Sequence, residues 1–249
     1  PEAAEAIMTT DRYPKIQYRE GAVGGTDVCI CGIAKGAGMI EPGMATLLSF
    51  VLTDADIDDA ALKRALREAV DRSFNAISVD GCMSTNDTVL LLANGLAGNR
   101  RIRTSTRDYT VFSDMLAGAL TELAKMIVRD GEGATKLIEI VVEGAKTAGD
   151  ARSVAYQIAR SNLVKTAFYG GDPNWGRIIS AAGAAGVALD PNAVELTFDG
   201  LPLFRQGQGI SSHLKELAEV MRKEQIRVVL NLGQGSKSFR VYSSDLTLD

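Results

Sequence analysis

The stretch KGAGMIEPGMAT, residues 35–46, concentrates three features that chemistry could use. Lys35 puts a cation ahead of Gly36-Ala37-Gly38, a run whose glycines give the backbone access to unusual dihedrals. Pro42-Gly43 is a strong turn signal. Thr46 then opens an apolar strand directly behind a small residue, Ala45. A hydroxyl in that place is a candidate nucleophile. The cation eleven residues earlier suits a carboxylate, since an ammonium offers three donors and a point charge. On spacing alone the signal is weak. A threonine at the start of a strand is usually a β-branched residue in a favourable place, and a lysine near a turn is usually solvated. The Lys-Gly-Ala-Gly run also hints at phosphate binding, but it lacks the spacing and the Lys-Ser/Thr ending of a phosphate-binding loop.

Other polar clusters read as structure. Cys29 and Cys31 stand two apart in an apolar run, so on a strand they face the same side. With Cys82 and the single histidine, His213, they make a poor metal set, and packed thiols are the better reading. Three cysteines, an odd count at low density, argue against a disulfide framework. Ser84-Thr85-Asn86-Asp87 precedes a strand and reads chiefly as turn and capping chemistry. Asp172-Pro173-Asn174-Trp175-Gly176-Arg177 contains the only tryptophan, and Asp172 or Asn174 can cap the helix after Pro173. Ser212 and His213 are neighbours in sequence, whereas a serine–histidine pair needs adjacency in space.

The elements around these residues follow from periodicity. TDVCICGIA, ATLLSFVLT and DTVLLLANG are short apolar runs with β-branched residues, and they read as strands. Between the last two, DIDDAALKRALREAVDRSFNAI opens with acids and carries Leu62, Leu66 and Val70 on one helical face. DYTVFSDMLAGALTELAKMIVRD is a second long helix, closed by Gly131. Strand KLIEIVVEGA follows, then a helix over DARSVAYQIARSNLVKTAF and a small-residue helix, WGRIISAAGAAG. Strands AVELTF, RVVLNLG and KSFRVYS, with helix SSHLKELAEVMRKE, complete the chain. Strands and helices mix without strict alternation. The expected class is α/β of the α+β kind, with mixed sheets layered with helices rather than a doubly wound parallel sheet.

Composition excludes several functions. The chain has 249 residues, 46% of them hydrophobic and 23% charged, which suits a globular protein with a real core. Net charge is −4 and the basic residues do not cluster, so a nucleic-acid partner is not expected. No apolar run reaches membrane-spanning length, and no signal pattern opens the chain, so a cytoplasmic protein or the mature part of an imported one is expected. The chain starts at Pro1 without Met and ends at Asp249 in a strand-like run, so both ends read as cut from something longer.

KGAGMIEPGMATLLSF resembles the cleavage and active-site segment of the ornithine acetyltransferase (glutamate N-acetyltransferase) family. AEAIMTTD, SVDGCMSTNDTVLLLANG, DGEGATK, YGGDPNWGRI and VVLNLGQGSKS resemble the same family in the same order. Two departures stand out: Gly43 where many members carry Asn, and Cys82-Met83 where Asp-Thr is commoner. The resemblance implies the self-cleaving fold of that family, with the Ala45–Thr46 bond cut by the Thr46 hydroxyl. Residues 1–45 would then close a first chain, and 46–249 would form most of a second, with subdomains dividing near 135–150. It implies Thr46 as the nucleophile and Thr9, Lys35, Thr46 and Glu132 as substrate-binding residues. An oxyanion-binding Thr-Gly pair is implied upstream of this chain, and an Asn and a small hydroxyl residue downstream.

The implied reaction is ping-pong transfer of acetyl from N-acetylornithine to glutamate in arginine biosynthesis. No metal or cofactor is implied, with acetyl-coenzyme A open as an alternative donor. The two cleaved chains would assemble with each other, as α2β2, in the cytoplasm or, in a eukaryote, the mitochondrial matrix. Two alternatives remain open: an N-terminal-nucleophile amidase or aminopeptidase that uses water as acceptor, and a non-catalytic relative with the same fold.

Overall fold

The computed structural model describes residues 1–41, 47–83 and 86–247. Two compact units make up the chain, Pro1–Gly131 and Glu132–Asp249.

The first unit begins with helix α1 (Glu2–Ala6), followed by strands β1 (Lys15–Val23), β2 (Thr26–Lys35) and β3 (Leu48–Thr53). Helix α2 (Asp59–Arg72), a 3-10 turn at Phe74–Ala76, β4 (Ile77–Ser78), β5 (Thr88–Ala93) and helix α3 (Arg107–Arg129) complete it. Strand order in its sheet is β1-β2-β3-β5. The β1–β2 hairpin turns on Gly24-Gly25, with Val23 opposite Thr26. Both glycines have positive φ, 61° and 87°, as a two-residue loop that matches strand twist requires. β3 runs antiparallel to β2 and parallel to β5. Along β2 the residues alternate, and Val28, Ile30, Gly32 and Ala34 are buried on one face. A Cβ on Gly32 would come within 2.9 Å of Leu123 Cδ1, which shows how closely α3 lies on that face.

α3 begins where Thr106 Oγ1 accepts the Tyr109 N–H at 3.1 Å, a normal N-cap. Its inward stripe includes Phe112, Leu116, Leu120, Leu123 and Ile127, all fully buried. α2 packs beside it, but not on the face expected from the sequence. Leu62, Leu66 and Val70 are only half-buried. Ala61, Ala65 and Ala69, one residue earlier in each turn, are the fully buried ones. Small side chains let two helix axes approach, and the larger residues then flank the contact.

The second unit holds β6 (Leu137–Ala145), α4 (Ala148–Ala159), α5 (Asn162–Tyr169), α6 (Trp175–Gly183), β7 (Glu195–Phe198), β8 (Leu201–Arg205), β9 (Gln208–Gly209), α7 (Leu214–Met221), β10 (Gln225–Asn231) and β11 (Lys237–Ser244). Its strands run in the order β11-β6-β10-β7-β8-β9. β6 and β10 pair in parallel, joined by a long crossover that holds α4–α7 and β7–β9, while β10–β7, β11–β6, β7–β8 and β8–β9 pair antiparallel. α4 lies on β6 and β11 and α6 packs against α4, and Val154, Ile158 and Ile178 belong to the core of this unit. The mixed sheets layered with helices are those expected, and no doubly wound parallel sheet is present among the described residues.

Several boundaries differ from those expected: the helix expected over 56–77 ends at Arg72, and Phe74–Ala76 form a 3-10 turn before β4. The single helix expected over 150–168 breaks at Arg160-Ser161, where Ser161 Oγ accepts the Val164 N–H at 3.4 Å and starts α5 afresh. The regular strand near the C-terminus stops at Ser244, where Asp245 turns its carboxylate onto the N–H groups of Thr135 and Lys136. The hairpin strand β1 was not expected from the sequence, because Lys15, Arg19 and Glu20 interrupt its apolar alternation.

The alanine stripe gives a stability test. Ala65→Leu forces a larger side chain between α2 and α3 and is expected to cost about 1–3 kcal/mol. Leu66→Ala, at a half-buried position, is expected to cost less. Urea unfolding of the two variants checks the order.

Candidate active site

Lys15 opens β1 with a fully buried side chain, and the carboxylates of Asp11 and Asp130 beside it are equally buried. Its Nζ lies 2.5 Å from Asp11 Oδ1 and 2.6 Å from Asp130 Oδ2. Buried charge is tolerated only where it is paired and hydrogen-bonded, and here both conditions hold. Asp130 also accepts from Arg12 N at 3.0 Å and Arg12 Nε at 2.9 Å. Asp11 accepts the Gly36 N–H at 2.7 Å and the Thr9 N–H at 3.2 Å.

That last pair of bonds places the candidate substrate residues. Asp11 fastens the turn at Thr9 to Gly36, the residue just past the end of β2. Lys35, the last residue of β2, then donates from Nζ to Thr9 Oγ1 at 3.4 Å. Two of the residues singled out in the sequence, Thr9 and Lys35, are therefore together. Thr9 is exposed and Lys35 half-buried. Burial is the largest influence on the Asp11 carboxyl and pushes it up. The Gly36 N–H, the Lys15 ammonium and the Thr9 N–H together outweigh it and hold the group below its ordinary 3.8.

Ala45 and Thr46 lie outside the described residues, but the backbone on either side of 42–46 is described and anchored. Upstream, the Asp80 carboxylate accepts the Met39 N–H at 2.6 Å and the Ile40 N–H at 3.1 Å. Met39 has a positive φ of 53°, a conformation a side chain rarely takes without such support. Val79 N donates to Ile40 O at 2.8 Å, and the buried Glu41 accepts from Ser78 Oγ at 2.7 Å. Downstream, Asp87 Oδ1 accepts the Leu47 N–H at 2.8 Å, and Leu47 O accepts from Thr88 N at 3.0 Å. Burial pushes the Asp87 carboxyl above its usual 3.8, with the Leu47 N–H and the Lys35 ammonium opposing.

Glu132 is exposed and is the first residue of the second unit, in the turn that follows α3. The chain reaches it through Gly131, where a Cβ would come within 2.8 Å of Val79 Cγ1 and 3.0 Å of Val128 O, so no larger residue fits. Asn174 takes the capping role read for it, whereas Cys82 is exposed rather than packed. Asn174 Oδ1 caps α6 by accepting the Arg177 N–H at 3.1 Å, and Asp172 in turn holds Asn174 Nδ2 at 2.9 Å. Cys29 and Cys31 are half-buried free thiols and Cys82 an exposed one. Among the described residues no group of His, Cys, Asp or Glu is placed to hold a metal ion. No helix among them is long and apolar enough to cross a membrane.

The ArgJ family model matches residues 1–249, the whole chain. The chain belongs to the ArgJ family. A relative from Symbiobacterium thermophilum, named arginine biosynthesis bifunctional protein ArgJ, is 50% identical over 248 residues, covering 100% of this chain and 62% of its own length. A mitochondrial relative of the same name from Dictyostelium discoideum is 43% identical over 266 residues, covering 99% of this chain and 60% of its own length. The crystal structure of the argJ protein from Bacillus halodurans is similar with a TM-score of 0.77 and 40% identity, over 80% of this chain and 94% of that one. The chain thus spans about three fifths of the length of the curated relatives it matches.

Family membership gives the ion network a context. Asp11 closes the segment AEAIMTTD and Asp130 opens DGEGATK, two segments that resemble the family around Thr9 and Glu132. The sequence reading passed over Asp11, Lys15, Asp80, Asp87 and Asp130 as site-building residues. No local signal marked them, because Lys15 stands in a segment whose apolar alternation is broken by Arg19 and Glu20 and its partners Asp11 and Asp130 are recognised only in the fold.

Two predictions follow from the network. Lys15→Met leaves Asp11 and Asp130 as neighbouring buried carboxylates and is expected to cost about 3–5 kcal/mol in denaturant unfolding. Asp11 has a folded-state pKa below its unfolded one, so its contribution is present above pH 3.8 and is lost as pH falls through the lowered value. Asp11→Asn should remove that part of the acid-limb slope, seen in melts collected from pH 5 downward.

Proposed function

We propose that the protein is a self-cleaving acyltransferase of arginine biosynthesis that carries acetyl from N-acetylornithine to glutamate on Thr46. The observation that carries this reading is the match along residues 1–249 to a family whose curated relatives are named for arginine biosynthesis. The geometry supports it. Lys35 is fixed at the end of β2 beside Thr9, and the described backbone on both sides of residues 42–46 is tied down by carboxylates.

The Thr46 hydroxyl adds to the Ala45 carbonyl carbon. The C–N bond breaks, its nitrogen takes a proton to become the Thr46 α-amine, and the acyl group is left on Oγ as an ester. Water opens the ester, which frees a carboxylate on Ala45 and the hydroxyl of Thr46. A threonine hydroxyl is almost un-ionised at neutral pH, but an α-amine with a reference pKa of about 7.7–8.0 is partly neutral there and can take its proton. In turnover the amine accepts the Oγ proton as Oγ attacks the acetyl carbon of N-acetylornithine. The proton passes to the departing nitrogen of ornithine. The glutamate amine then attacks acetyl-Thr46, and the hydroxyl is restored.

Lys35 takes a substrate carboxylate, Glu132 a substrate amine, and Thr9 a further polar contact. The oxyanion donors and the remaining substrate contacts are assigned to parts of the protein beyond this chain. The cycle needs no cofactor, and acetyl-coenzyme A would serve as a second donor. The cleaved chains assemble as α2β2. The bacterial and mitochondrial relatives support a cytoplasmic site, or the matrix in a eukaryote.

A denaturing gel of wild-type full-length protein should show two bands, and Thr46→Ala one uncut band with no acetyl transfer. Robust transfer by that variant overturns the reading. With glutamate supplied, N-acetylglutamate should form faster than free acetate; the reverse would make the protein an amidase. Lys35→Ala should lower kcat/KM for N-acetylornithine about ten-fold or more by removing a charge-assisted bond, with the fold intact by circular dichroism. Unchanged kinetics would return Lys35 to a solvated surface role.

A further inference from the structure

The second unit carries a cavity of about 450 Å³ where α4, α5 and α6 meet. Gln157 and Arg160 line it from the end of α4, Ser161 from the N-cap of α5, and Asn174, Arg177 and Ser180 from α6 and its cap. The volume sits within the roughly 300–1,000 Å³ of small-molecule sites. The lining holds two arginines and no aspartate or glutamate. None of the residues assigned to acyl transfer above is part of it.

Arg177 is the residue that needs a reason. It is half-buried and lies in the first turn of α6, the end at which a helix dipole disfavours a cation. No acid shares that turn. Its side-chain hydrogen bonds run from Nη1 to neutral acceptors, Leu163 O at 2.8 Å and Thr166 Oγ1 at 3.4 Å. Among the described residues it forms no ion pair, and its Nε and Nη2 donate to no protein acceptor. A half-buried charge without a counter-charge is costly. Arg160 has a structural reason of its own. It caps the C-terminal end of α4, where a cation is favoured, with its guanidinium carbon 5.2 Å from the Tyr156 ring centroid. Both cations nevertheless line one concavity, which concentrates their positive potential there. Ser161 Oγ accepts the Val164 N–H and keeps its own hydrogen to donate. The carboxylate of Asp172, in the turn before α6, accepts from Asn174 Nδ2 at 2.9 Å and is not part of the lining.

We infer that this cavity binds the phosphoryl group of a small phosphorylated molecule, with Arg177 Nε and Nη2, the Arg160 guanidinium and the Ser161 hydroxyl as donors. The guanidinium fork matches the spacing of oxyanion oxygens. A lone carboxylate brings one negative charge and two oxygens to this set. A phosphoryl group brings about −1.5 to −2 and three oxygens, which fits two cations and a hydroxyl better. The bound anion also removes the conflict between Arg177 and the helix that carries it.

Titration calorimetry of the full-length protein with pyrophosphate, at constant ionic strength, tests the site. Saturable binding is expected with a Kd below about 1 mM. Arg160→Gln and Arg177→Gln should each weaken it about ten-fold or more, the loss expected when a charged donor is removed. Arg177 also ties α6 to α5, so Ser180→Glu carries the test where the Arg177 variant fails to fold. It sets a carboxylate on an exposed part of the wall and should abolish binding with the melting temperature unchanged. Wild type that gives no saturable heat, and no rise in melting temperature up to about 10 mM pyrophosphate, overturns the proposal. A wild-type Kd in both Arg160→Gln and Ser180→Glu overturns it too, because binding then lies elsewhere. Succinate bound as tightly as pyrophosphate overturns the phosphoryl assignment.

Discussion

The first unit is organised around one ammonium group. Lys15 Nζ has no access to solvent and is held between two carboxylates that are equally buried. Such a cluster is expensive to desolvate, and hydrophobic residues of the same volume would often be as stable or more so. Its value lies in what each carboxylate does with its remaining bonds. Asp11 holds two backbone N–H groups, from Thr9 and Gly36, and so fastens the turn after α1 to the end of β2. Asp130 holds the backbone and side chain of Arg12, 118 positions earlier in the chain. A hydrophobic contact could bury the same area but could not fix these directions. Lys35 and Thr9 meet at 3.4 Å next to the backbone that Asp11 ties together, and the Gly36 N–H, the Lys15 ammonium and the Thr9 N–H hold Asp11 in its ionised form against burial.

The same device recurs at the segment of the proposed cut. Asp80 and Asp87 come from one short stretch between β4 and β5, and they grip the described backbone on opposite sides of residues 42–46. A charged acceptor makes a stronger and shorter bond to an N–H than a neutral one does. The two grips are not equivalent. Asp80 uses both oxygens on backbone N–H groups, including a third bond from Cys82 N at 2.9 Å, so it is fully committed. Among the described residues, Asp87 accepts a bond at one oxygen only.

Much of the fold was legible because its strong signals are local. The apolar runs of β2, β3, β5, β6 and β10 and the long amphipathic α3 announce themselves by composition and period. What was missed depends on partners distant in sequence. β1 hides because its first residue is a lysine, which becomes a core residue only when Asp11 and Asp130 surround it. The inward face of α2 was misread because larger side chains usually mark the buried stripe, whereas here the approach of α3 selects Ala61, Ala65 and Ala69. The break between α4 and α5 turns on the Ser161 hydroxyl capping in place of an unbroken helix, a choice that periodicity does not register. At the site, residue types alone suggested Lys35 and Thr46. The aspartates that hold their surroundings could not be told from ordinary loop acids until their N–H partners were known.

The departures from the family pattern can be judged in the same terms. Cys82-Met83 stands where Asp-Thr is commoner, within the stretch that supplies both gripping carboxylates. Yet the turn there is closed chiefly by the backbone N–H of residue 82 onto Asp80 Oδ1, a bond every residue but proline permits, with a long 3.8 Å contact from Cys82 Sγ to Asp80 O beside it. The Cys82 and Met83 side chains themselves are exposed. The grip on Met39 and Ile40 is therefore set by Asp80 and by backbone geometry, not by the residues that follow it. Sequence change at 82–83 is tolerable for the same reason that change at Asp80 or Asp87 would not be. A carboxylate receiving backbone N–H groups has no substitute of equal reach and charge, whereas a residue that contributes only its own amide can be almost anything.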